Sequence, residues 1–160
     1  VVADLDTAIA QWLALGIGPW ITLGPMEQNM VFRGEPTTCT ITLAFANSGD
    51  LQIELIHQTG DAPTAYKEFL DSGREGFHHL AWWAEDFAAV EAGVADAGRE
   101  VVLSGDGGGT TRFLYIDAPT EAATCLEVME LNDMTRGLMD HVRQAADTWD
   151  GMTDPVRNLF

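Results

Sequence analysis

The 160-residue chain predicts an α+β fold of two βαβββ modules, on three observations. Runs of β-branched and aromatic residues recur with a period of two; two helical stretches between them open on aspartate and close on glycine; and the second of these repeats the first at a fixed distance. In chain order, the first helix spans Leu5 to Leu15, with Asp4 placed to cap its exposed amides and Gly16 to end it. A strand from Pro19 (PWITLG) follows, then strands over Cys39 to Ala46 and Leu51 to His57. A short helix around Thr64 to Leu70 leads to a strand over Phe77 to Ala84 and a second long helix from Phe87 to Ala97, framed by Asp86 and Gly98. Further strands are predicted from Arg99 (REVVLSG), over Thr111 to Asp117 and over Thr124 to Leu131. Asp4 matches Asp86 and Gly16 matches Gly98, both 82 residues apart (86 − 4 and 98 − 16). A period this long suits two modules closing on each other rather than an open repeat array. The expected organisation is a single domain over 1–131, with module one about 1–60, a linker helix about 61–73 and module two about 74–131.

The segment 132–160 differs in kind. From Asn132 or Asp133 as cap, Leu138, Met139, Val142, Ala145, Ala146 and Trp149 fall at helical spacing on one face, which predicts a helix packed on a sheet or a partner subunit. The glycine and proline of DGMTDPVRNLF predict an extended arm after it.

Eight basic against 25 acidic residues give a formal charge of −17, which repels nucleic-acid backbones and anionic membrane surfaces alike. No apolar run approaches a membrane span and the first residues lack a secretory leader, so a cytoplasmic protein is expected. Cys39 and Cys125 sit within apolar runs and read as buried free thiols in a reducing compartment.

Strand alternation sorts the remaining polar residues. His79, Ala81 and Trp83 share one face and His78, Leu80 and Trp82 the other; Glu54 groups with Gln52 and Ile56, and Glu127 with Cys125 and Met129. Glu54 and Glu127 each interrupt an apolar strand, where a carboxylate is costly unless it is solvated, paired or bound to a cation. With His79 they offer imidazole and carboxylate donors of the kind zinc, nickel, cobalt, manganese or iron accepts. The position equivalent to His79 in module one falls at 79 − 82 = −3, ahead of Val1. His57 lies on the opposite strand face from Glu54 and His141 on the tail helix, and both read as structural or surface residues.

The segments VVADLDTAI, GIGPW, LQIELIH, EGFHHLAWWAEDF and CLEVMEL, in this order, resemble the vicinal oxygen chelate superfamily of glyoxalases, bleomycin-resistance proteins and extradiol dioxygenases, and within it the methylmalonyl-CoA epimerase-like branch. The resemblance implies paired βαβββ modules forming a curled mixed sheet whose cup holds a divalent metal. It places Glu54 as the module-one carboxylate ligand, His79 as the module-two histidine and Glu127 as the module-two glutamate, with His78 turned away to pack or orient. It also implies a small-molecule substrate and a homodimer.

Methylmalonyl-CoA epimerases use a further glutamate on a module-one strand, and TTCTITLAF from Thr37 contains no carboxylate. Lys67 and Arg74 alone stand near the inter-module region to meet coenzyme A phosphates, so a less charged, more apolar substrate is expected. The resemblance implies metal-assisted proton transfer next to a carbonyl, as in an isomerase, epimerase or glyoxalase-type lyase, with Glu127 and then Glu54 as general base. By strand parity Trp83, Phe45 and Met129 would line the substrate side or pack the core. Two alternatives stand beside this reading: a metal-free cup that sequesters an apolar small molecule, and an extradiol-type dioxygenase, against which a second carboxylate at Glu54 counts.

Overall fold

The structure, a computed structural model, describes residues 1–118 and 123–159. Phe160, the last residue of the expected arm, lies outside the described residues, as do 119–122 of the expected domain. Module one comprises α1 (Leu5–Ala14), β1 (Trp20–Phe32), β2 (Glu35–Ser48) and β3 (Leu51–Thr59); α2 (Ala65–Asp71) follows. Module two comprises β4 (His79–Ala84), α3 (Phe87–Asp96), β5 (Val101–Gly105), β6 (Phe113–Asp117) and β7 (Cys125–Glu130). The tail supplies α4 (Asp133–Asp147) and β8 (Val156–Asn158).

The duplicated caps act as their residue types predict. Asp4 Oδ1 accepts from the Thr7 amide at 2.7 Å at the head of α1, and Asp86 Oδ1 accepts from the Ala89 amide at 3.0 Å at the head of α3. Glycine follows each helix in the left-handed region, with Gly16 at φ 79° and Gly98 at φ 62°.

The strands form one mixed sheet in the order β3-β2-β1-β5-β6-β7-β4, with β8 alongside β1. Pairs β4–β7 and β1–β8 are parallel and the others antiparallel. The sheet curls, because the start of the chain lies between its two ends. The Val2 amide donates to Ile56 O of β3 at 2.9 Å, while Val1 and Gly76, just ahead of β4, exchange two bonds of 2.9 Å.

The β1–β2 hairpin is much longer than its sequence suggests. It turns on Arg33 and Gly34, both at positive φ (47° and 85°), the geometry of a tight two-residue turn whose twist matches that of the flanking strands. A bulge between Leu23 and Met26 re-aims β1 midway, and Gly24 sits there because a Cβ would come 2.7 Å from Ile41 O.

On one outer side of the sheet, α1 packs on Trp20, Ala44, Ala46 and Leu55; on another, α3 packs on Leu114, Ile116 and Val128. The tail helix packs within the chain: Val142 and Ala145 bury against Ile21 and Phe45, with Leu138 and Met139 alongside. The predicted arm returns as β8, pairing Val156, Arg157 and Asn158 with Trp20, Ile21 and Thr22.

Asn132 holds the head of this helix. Its Oδ1 accepts from the Met134 and Thr135 amides at 3.0 Å, and its Nδ2 donates to Thr110 O at 2.8 Å. Asn132→Ala is expected to lower stability by about 1 kcal/mol, read as a shifted urea midpoint at unchanged slope.

Candidate metal centre

Three strands converge on one apolar cavity. On β7 Glu127 pairs with Ala81 of β4, which puts His79, two residues earlier on β4, on the same face beside it. Glu54 reaches the same point from β3, where it pairs with Phe45 of β2. His79 Nε2 lies 3.2 Å from Glu127 Oε2 and 3.4 Å from Glu54 Oε2, and the donor atoms of all three lie within 4.8 Å of one another.

Glu127 is 4% exposed, and among the described residues its Oε2 has an ion-pair contact with His79 Nε2 but no hydrogen bond in acceptable geometry. Burial raises the Glu127 carboxyl above its ordinary value against the opposing pull of His79. Burial alone would lower the His79 imidazole, but Glu127 and Glu54 outweigh it and push it up to about 9. Two carboxylates around one imidazole, with all three donor atoms within 4.8 Å of one another, fit a divalent cation held by Glu54, His79 and Glu127.

The second histidine braces the first. His78 is 2% exposed, meets Phe69 and Tyr66 edge to face, and brings its Nδ1 to 3.2 Å from His79 Nδ1. Burial, then the positive charges of His79 and Arg74, lower His78 to about 3. It is therefore neutral and accepts from the His79 Nδ1–H, which fixes the ring so that Nε2 faces the carboxylates.

The cavity above the trio is about 140 Å³. Its walls include Phe45 and Met129, two of the three residues that strand parity placed there, together with Met26, Met30 and Ile41. Leu138 and Met139 of α4 close one side. Trp83 is not brought to this wall. It stands 38% exposed on β4, the edge strand of the sheet, beside its register partner Met129 on β7.

Sequence reasoning missed Tyr66, Tyr115 and Gln28, all of which line the cavity. The Tyr66 hydroxyl donates to that of Tyr115 at 3.2 Å, and the Tyr115 ring stands edge to face with His79 at 5.0 Å. Burial raises both phenols well above their ordinary value, so they remain protonated. Parity could have found Gln28, which alternates with Met26 and Met30 in MEQNM.

Neither inter-module cation faces the cavity. Lys67 pairs with Asp71 and Asp61, while Arg74 stacks on Phe69 and donates to Ser72 and Thr124. His57 is occupied with Val2 O at 3.4 Å, and His141 is exposed on α4. Cys39 and Cys125 are free and buried, and burial pushes both thiols up to about 11. No helix among the described residues is long and apolar enough to cross a membrane.

The duplicated modules, curled sheet and cup define the class. The chain belongs to the Glyoxalase/Bleomycin resistance protein/Dioxygenase superfamily, whose profile matches residues 1–115. Its fold is similar to that of methylmalonyl-CoA epimerase from Mycobacterium tuberculosis, with a TM-score of 0.56 and 21% identity over 85% of this chain and 86% of that one. It is also similar to a selenomethionine-labelled methylmalonyl-CoA epimerase, with a TM-score of 0.50 and 20% identity over 82% of this chain and 90% of that one. No curated protein matches the sequence significantly.

Proposed function

We propose that this protein is a divalent-metal-dependent enzyme that moves a proton next to a carbonyl in a small, apolar substrate, as an isomerase, epimerase or glyoxalase-type lyase does. The observation that carries the reading is the convergence of Glu54, His79 and the buried Glu127, with donor atoms within 4.8 Å of one another, at an apolar cavity. Glu54, His79 and Glu127 would hold the ion, with zinc, nickel, cobalt, manganese and iron suited to the donor set. When bound, it supplies Lewis-acid stabilisation of negative charge on substrate oxygens.

The chain's own residues do the rest. Glu127, buried and with a raised pKa, takes the proton from carbon and returns it; Glu54, less buried, is the second choice for that role. His78 holds His79 in place, while Phe45, Met26 and Met129 surround the carbon skeleton and exclude water. The names of the two structural neighbours support an isomerase. The basic residues displaced from the cavity favour a substrate smaller and less charged than a coenzyme A thioester.

An apolar, methionine-rich wall also favours a second reading, sequestration of an apolar molecule without metal. The convergence of Glu54 on the other two donors counts against an extradiol site of two histidines and one carboxylate. Phe77, Leu80, Trp82 and Trp83, exposed along and just before β4, support a homodimer by offering apolar surface to bury. Free buried thiols support a reducing, cytoplasmic setting.

The test is elemental analysis after equilibration with each of the five cations, followed by anaerobic incubation in deuterium oxide with small carbonyl compounds bearing an α C–H. Stoichiometric metal and enzyme-dependent deuterium at the α carbon are expected. Failure to take up any of the cations, with binding of an apolar ligand retained, would establish sequestration instead.

A further inference from the structure

We propose that Gln28 is a specificity residue that receives a hydrogen-bond donor, a hydroxyl, at the end of the substrate farthest from the carboxylate–histidine trio. The inference rests on the proposed function and names a feature of its substrate. Gln28 is 8% exposed and lines the cavity, yet its side-chain Oε1 has no hydrogen-bond partner among the described residues. An acceptor buried without a partner is costly, and its retention in an apolar wall points to a partner that arrives with the ligand.

Strand register puts Gln28 at the far end. Glu127 pairs with Tyr115, Tyr115 with Leu103 and Leu103 with Phe32, so the row of Glu127 meets β1 at Phe32. Gln28 lies four residues away (32 − 28) along β1, roughly 13 Å at strand rise. On the other side, the row of Glu54 passes through Phe45 to Ile21, seven residues from Gln28 (28 − 21) with the bulge between them.

Met26, Met30, Ile41 and Phe113 wall the interval, so the substrate is apolar in its middle. Its donor is neutral in this reading: an amide oxygen accepts from a hydroxyl without a charge to desolvate. Oxygens at one end, a short hydrocarbon span and a hydroxyl at the other describe an ω-hydroxy carbonyl compound.

Straight-chain hydroxamic acids of four to eight carbons test this, because their two neighbouring oxygens chelate divalent cations. Each methyl-ended acid is paired with its ω-hydroxy analogue, and binding to the cobalt-loaded protein is measured by calorimetry. In the wild type, at least one ω-hydroxy acid is expected to bind as tightly as its methyl-ended partner or more so. Gln28→Leu is expected to shift that ratio at least about tenfold toward the methyl-ended acid, because the hydroxyl is then buried without a partner.

The thermal midpoint of metal-free Gln28→Leu is expected to stay level or rise, since an unsatisfied acceptor has been removed; a fall would show that Gln28 serves the fold and overturn the proposal. Gln28→Glu gives a second variant at similar volume and is expected to preserve the hydroxyl preference. If the hydroxamates bind but Gln28→Leu leaves the ratio unchanged, this inference fails alone. If none binds although cobalt is loaded, the proposed function fails with it.

Discussion

Replacing Glu127 with glutamine is expected to cut enzyme-dependent deuterium incorporation by about 10²–10⁴-fold, while metal binding weakens but survives. Glutamine keeps the volume and one ligating oxygen, so Glu54 and His79 still hold two of three positions beside a neutral third donor. It cannot accept a proton from carbon. The same change at Glu54 is expected to spare more of the exchange, because its side chain is 19% exposed against 5% for Glu127. Isotope exchange measured beside a cobalt titration separates the two roles. Equal loss of exchange in both variants, in proportion to lost metal, would make both carboxylates mere ligands.

The trio was legible because each member violates its surroundings: two carboxylates inside apolar strands, and a histidine opening an apolar run. Such residues demand an explanation, and alternation alone assigned their faces. The helices were legible for a similar reason, since Asp4 and Asp86 cap as aspartates do in isolation. The long hairpin was hidden because WITLGPMEQNMVF contains Gly24, Pro25 and a polar run that read as a break; the structure absorbs them in a bulge and keeps the strand going to Phe32. Gln28 was lost with that strand. Trp83 sits beside its register partner Met129 yet stands exposed, because β4 is an edge strand with no neighbour beyond it to enclose the side chain. The stripe on α4 showed that something is covered, but the covered surface, Ile21 and Phe45, comes from strands more than 90 residues earlier and is set by topology.

The two adjacent histidines should give the metal-free protein a stability maximum near pH 6.5. His79 holds its proton more tightly when folded, at about 9, than in the unfolded chain, at about 6.5. Its contribution is fully present below 6.5 and is lost as pH rises through 9, because the unfolded chain gives up that proton first. His78 has the opposite sign: with a folded value of about 3, its burial destabilises the fold as pH drops from 6.5, where the unfolded chain already takes a proton that the folded chain refuses. Each limb amounts to a few kcal/mol, since one pKa unit is about 1.4 kcal/mol; the raised Glu127 carboxyl, which the folded chain protonates before the unfolded one does, offsets part of the acid limb. Urea denaturation in the presence of chelator from pH 5 to 9.5 reads both limbs. His78→Phe is expected to flatten the acid side and Glu127→Gln the alkaline side, because the first removes the buried imidazole and the second the main charge that stabilises protonated His79. A wild-type profile that is level between pH 6.5 and 9 would show that His79 is not ion-paired before metal arrives. The carboxylates would then have to be held apart by another cation or by solvent.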